Sequence, residues 1–143
     1  MKLRKFISLF LGLCLTLSCA LSIPASAQVP TSRSSQLRLD TPFDGNGDEG
    51  KEILFPILPQ EPWYRVWVQN TGDHTIYFQV LHGDKYGPLQ TPELIDLEPG
   101  EQTSLVFLSL QGGTKCFYVS SYYGYPFEGI VRVRSTSTEE ELG

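Results

Sequence analysis

The chain has 143 residues with 11 lysines and arginines against 16 acids, a formal net charge of −5 and a hydrophobic content of 41%. That acidic balance argues against nucleic acid and anionic membrane surfaces as partners, because phosphate binding draws on a surplus of basic side chains. Two of the three cysteines stand within the first 20 residues, leaving Cys116 alone in the remainder, so no internal disulfide can staple the domain and its apolar core must hold it.

The first 27 residues read as a secretory signal peptide. Lys2, Arg4 and Lys5 precede an apolar run, and Ala25-Ser26-Ala27 supplies the small residues at which cleavage is expected, after Ala27. Ser8, Gly12, Thr16, Ser18 and Ser22 interrupt the run, which disfavours a permanent span, and Thr16-Leu17-Ser18 before Cys19 is a poor lipoprotein box. The expected mature chain has 116 residues and a charge of −8, enough for one domain and too little for two cores, with no membrane insertion after cleavage. An exported chain without disulfides suits a bacterial envelope or extracellular address.

Residues 28–36 are small and polar and read as a flexible leader. Leu37-Arg38-Leu39 alternates as a short edge strand, and residues 41–51, TPFDGNGDEGK, read as a turn-rich loop. Residues 52–58 form an apolar strand that Pro56 assigns to a sheet edge, since proline cannot donate to a ladder. The most ordered signal is residues 63–82, WYRVWVQNTGDHTIYFQVLH, two β-rich arms around Asn70-Thr71-Gly72-Asp73 that predict a hairpin. Alternation puts Tyr64, Val66 and Val68, then Ile76, Phe78 and Val80, on the core face, and turns Trp63, Arg65 and Trp67 to the other.

Beyond a loop at 83–92 come a short strand at 94–97, a Glu98-Pro99-Gly100-Glu101 turn, and residues 103–110, TSLVFLSL, whose two apolar faces predict burial between layers. Strands at 115–122 and 130–135 complete the domain, which spans 37–135, and the acidic tail 136–143 is expected to be disordered. Seven to eight strands at regular spacing predict an all-β, two-sheet antiparallel sandwich, immunoglobulin-like or jelly-roll.

The run VQNTG, a following apolar strand and LEPGEQTSLVF resemble the layout of immunoglobulin-like sandwich modules of exported bacterial proteins. There, a strand ending in Asn-x-Gly is followed by Leu-x-Pro-Gly-Glu and another strand. The resemblance covers residues 63–108, without the Cys, Trp and Cys hallmarks of antibody domains. It implies adhesion or ligand binding without catalysis.

Two groups of residues are candidates for binding. Trp63, Arg65 and Trp67 share one strand face at a spacing of about 7 Å, suited to an aromatic platform, and Tyr122, Tyr123 and Tyr125 form a tyrosine-rich loop. Ordinary core packing is the competing account of both. Asp44, Asn46 and Asp48 offer oxygens at alternate positions for calcium, although the loop lacks the glycine and glutamate of an EF-hand. His74 and His82 stand about 26 Å apart along one arm and cannot share a metal, and Cys116 in an apolar strand has no nearby base. The acids lie in turns and loops, so no catalytic residues and no cofactor are assigned. The sequence therefore reads as an exported, non-enzymatic binding or adhesion module for a glycan or an envelope protein. The alternative is an envelope assembly protein associating through a strand edge or aromatic face, and an enzyme of unknown chemistry ranks third.

Overall fold

A computed structural model describes residues 35–91 and 93–143. The expected signal peptide and most of the leader lie outside them. The chain forms β1 (Gln36–Asn46), β2 (Lys51–Ile57), β3 (Trp63–Asn70), β4 (Ile76–His82), β5 (Ile95–Leu97), β6 (Gln102–Leu108), β7 (Gly113–Ser121) and β8 (Pro126–Thr136). They make two four-stranded antiparallel sheets, ordered β1-β8-β3-β6 and β2-β7-β4-β5.

The pairing is nested: β1 lies against β8, β2 against β7, β3 against β6 and β4 against β5. One long antiparallel ribbon has been rolled up until β8 also meets β3 and β7 meets β4. This is the jelly-roll order. The immunoglobulin-like layout is corrected by it, because the motifs behind that resemblance are turn signals and turns do not fix strand order.

The core forms where the inner faces meet. Tyr64, Val66, Val68, Ile76, Phe78 and Val80 are all fully buried, as alternation predicts, with Phe43, Phe55, Phe117, Val131 and Val133. Burying each such side chain is worth about 1.5–3 kcal/mol. Yet β3 and β4 are not a hairpin; they belong to opposite sheets. Their apolar faces oppose each other across the sandwich, whereas a hairpin would set them side by side.

The presumed turn is a corner, and Asn70 makes it. Its buried amide donates to His74 O at 2.8 Å and Leu97 O at 2.9 Å, while its Oδ1 accepts from Gly72 N at 3.0 Å. The backbones of Thr71 and Gly72 donate to Glu128 O. These bonds satisfy the polar groups of a chain stepping between layers.

Three further expectations change. The stretch 41–46 is strand, not loop: β1 runs on to Asn46 because Phe43 faces Gly129 and Gly45 faces Phe127 in register. A Cβ on Gly45 would stand 2.6 Å from Phe127 Cζ, and one on Gly129 would strike the Phe43 ring, so glycine makes room for a ring at each place. Residues 102–108 are not sandwiched between layers; β6 is an edge strand with its core side half-buried and its other side exposed. Its apolar run reads as buried only when the outward Val106 and Leu108 are assumed to have a cover. The tail is folded, with a 3-10 turn at Glu139–Leu142 that buries Leu142 and packs against β3 and β8. Thr136 Oγ1 donates to Glu141, and Arg65 Nη1 to Gly143 O at 2.7 Å. By contrast β2 is the edge strand that Pro56 predicts.

Candidate functional sites

Four connections meet at one end of the sandwich. Gly47 N donates to Tyr125 O, Asn70 N to Glu101 O, and Gly100 N to Asn70 O, so the β1–β2, β3–β4, β5–β6 and β7–β8 links are knitted together. On this base stands an aromatic rim. Tyr77 lies 4.9 Å from Tyr122, Tyr122 6.4 Å from Tyr123, and Tyr123 6.3 Å from Tyr125, between ring centroids. His74 then stacks on Tyr125 at 4.4 Å and 14°.

The Tyr122 hydroxyl donates to Asp96 Oδ1 at 2.7 Å, and this bond, together with burial and the Asp96 charge, pushes its pKa up to about 12. Tyr123 is 93% exposed and has φ 58°, ψ 25°, the left-handed region that a bulky side chain seldom occupies. A cleft of 290 Å³ opens between the tyrosines and Asp73, His74 and Glu98. A second, of 390 Å³, lies between His74 and Asp44, Phe127 and Glu128, so Asp73 and His74 wall both. Rings beside carboxylates can stack on apolar faces and accept hydrogen bonds from hydroxyls.

Of the calcium candidates, Asp44 takes a salt bridge from Lys51 at 3.4 Å and Asn46 Oδ1 accepts from Asp48 N at 3.3 Å. Among the described residues no group of three or more His, Cys, Asp or Glu side chains gathers around a cation position. The acidic turn thus spends two of its oxygens on itself and on Lys51.

The tryptophan face is a separate place. Arg132, opposite Trp67, lies six residues along β8 from Pro126 at the rim, about 20 Å away. Trp63, Arg65 and Trp67 do share the outward face of β3, each half-buried. Trp67 is no bare platform, because the Arg132 guanidinium lies 5.0 Å over its ring. Between Arg65, Trp67, Arg132 and Arg134 and the first residues of β6 runs a groove of 430 Å³.

The remaining candidates are structural. Cys116 is fully buried, and desolvation leads the causes that push its thiol up to about 12; it is neither a nucleophile nor able to link two copies at the surface. Lys115 is buried too, and its Nζ donates to His82 Nδ1 at 2.6 Å and Gly112 O at 3.3 Å, while Gln90 meets the other ring nitrogen. Burial lowers the pKa of both groups, and the Lys115 charge adds to the effect on His82.

The roles of His74 and Asp96 at the rim are not visible in the sequence, since each meets its tyrosine only through the fold, and Asp73 comes to wall both clefts in the same way. Tyr77 is the partial exception, because alternation already places it on the outer face of β4.

No family model matches this chain, and no curated protein matches it. A solved structure from work on Bacillus endospore appendages, which form a family of disulfide-linked pili, overlays with a TM-score of 0.41 at 12% identity. The overlay covers 73% of this chain and 92% of that one. So loose an overlay transfers no property to the present protein.

Proposed function

We propose that the chain is an exported, non-enzymatic β-sandwich that associates with further copies of itself through β6. One observation carries this reading: β6 is the unguarded edge. A free edge offers a row of unpaired N–H and C=O groups, and proteins that must stay apart blunt it with proline, charge or brevity. β1 carries Pro42 with Arg38, Asp40 and Asp44; β2 carries Pro56 with Lys51 and Glu52; β5 has three residues, one of them Asp96.

β6, QTSLVFL, has no proline, no charge and seven residues. Val106 and Leu108 are 40% and 43% exposed beside it, followed by Leu110 at 72%. Leu105 and Phe107, on the core side, are only partly buried, so an added strand covers both faces. Antiparallel pairing of two β6 strands is self-complementary and continues one sheet through two copies.

Sedimentation of the purified, exported protein tests this. The mass rises with concentration, and Leu108→Lys, opposite the neutral Trp63, holds it at one copy while leaving the thermal midpoint unchanged. A single-copy mass at every concentration ends the proposal.

A second reading, glycan binding at the rim, is favoured by Tyr123, a ring held almost wholly in solvent on a strained backbone. It requires that Tyr123→Ala and Tyr125→Ala abolish retention on polysaccharide without changing stability. Retention by both variants would remove it.

A further inference from the structure

We infer that the arginine groove on the outer face of the β1-β8-β3-β6 sheet is a binding site for an acidic sugar, a saccharide bearing carboxylates. The register builds it. Arg65 stands directly opposite Arg134, and Trp67 opposite Arg132, on the paired strands β3 and β8. Directly opposed residues place their Cβ atoms about 5 Å apart, and like charges so placed repel. Three of the eight lysines and arginines that follow residue 27 are thereby concentrated in one groove of an acidic protein.

The fold does little to neutralise them. Asp40 Oδ1 accepts from Arg132 Nε at 2.9 Å, in an exposed pair. Among the described residues Arg134 reaches the Ser35 hydroxyl, at 3.4 Å, while Arg65 Nη1 donates to an oxygen of Gly143 and is the more engaged of the two. Arg65 Nε is buried without a partner among the described residues and is closed to a ligand, so the forks offered to the groove are those of Arg132 and Arg134. A planar guanidinium matches a carboxylate with two parallel hydrogen bonds, and such charge-assisted pairs are the strong ones.

The rest of the groove selects the class of carboxylate. Gln102, Thr103 and Ser104 line the wall formed by β6, neutral groups that both donate to and accept from hydroxyls. The Trp67 indole lies beneath the Arg132 guanidinium and holds it in place at the floor. Oxyanion forks on one side and hydroxyl partners on the other fit a uronate-type sugar. With the three groove arginines set aside, the net charge of −5 becomes −8 for the rest of the chain, which repels a long polyanion running beyond the groove, while a short saccharide stays within it. The groove opens beside the first residues of β6 on the sheet face, so it is present whether or not copies associate along that edge.

Titration of the full protein with short oligogalacturonate, followed by tryptophan fluorescence and calorimetry, tests the inference. Expected are saturable binding, a loss of at least about tenfold in affinity in Arg134→Gln, and weakening with salt, since one charge-assisted bond is worth that factor. A neutral oligosaccharide of equal length leaves the signal unchanged. Arg134→Gln removes a side chain with one weak contact, so its circular dichroism and melting match the parent. No binding of oligogalacturonate, or equal binding by Arg134→Gln, overturns the site. Displacement by equal concentrations of inorganic sulfate, or equal binding of an oligoglutamate peptide, overturns the sugar class.

Discussion

The rim and the groove hold their side chains by opposite means. At the rim, four connections are knitted by backbone hydrogen bonds, and His74, Asp96 and Tyr122 to Tyr125 arrive from two different links and the short strand β5. In the groove, Arg65, Trp67, Arg132 and Arg134 sit on two adjacent strands, and the ladder itself sets their spacing. A site on strands tolerates loss of a loop contact, whereas a site on loops stands or falls with its corner posts.

The sharpest way to separate the two is to damage the rim's foundations. Gly129→Ala drives a methyl into the Phe43 ring and the Gln69 carbonyl beneath the rim, and is expected to cost about 3 kcal/mol in urea unfolding, as overpacking does. Asn70→Ala leaves the carbonyls of His74 and Leu97 without their donor and should cost about 2 to 3 kcal/mol. In the Asn70 variant, hydrogen exchange rises at residues 71–75 and 122–125 while the Trp67 emission stays in place; a shifted emission would mean that the groove depends on the corner after all.

A pH series addresses the far end of β4, away from the rim, where Lys115 meets His82. The folded pKa of His82 lies below its ordinary value near 6.5, so the unfolded chain takes up the proton first on acidification. Its contribution is complete above about pH 6.5 and is lost as pH falls through the folded value. Lys115, also lowered, acts with the same sign over a more alkaline window that ends near its ordinary 10.5. The urea midpoint therefore drops below pH 6.5, and His82→Gln flattens that drop; an unchanged slope would assign it elsewhere. The smallest effect is expected at the rim's tip, where Tyr123→Gly relieves a left-handed backbone and gains up to about 1 kcal/mol in thermal or urea unfolding, partly offset by glycine's entropy.

Period-two alternation revealed Tyr64, Val66, Val68, Ile76, Phe78 and Val80 as inward and Trp63, Arg65 and Trp67 as outward, because a strand buried on one face must alternate. It missed the buried Asn70 at the end of β3 and Leu81, buried on the other face of β4. Pairing was not legible. Arg132 and Arg134 alternate just as Arg65 and Trp67 do, but nothing local says that β8 lies against β3. The corner at Asn70 has the composition of a hairpin turn, and its three bonds go to residues 72, 74 and 97, the last beyond the reach of any turn rule. β1 escaped recognition past Thr41 because its glycines and acids are turn residues by composition and edge-strand residues by position. His74 on Tyr125 joins residues 51 apart, with no signal in either.

The nested pairing also sets an order of events. β8 occupies the interior of its sheet between β1 and β3, so residues 36–46 have no ladder partner until residues 126–136 exist and have arrived. Contacts this distant in sequence are slow to close, and no early portion of the chain can complete that sheet. For a chain read as exported, late closure is an advantage: the polypeptide stays threadable until its last strand is delivered, and export and folding do not compete.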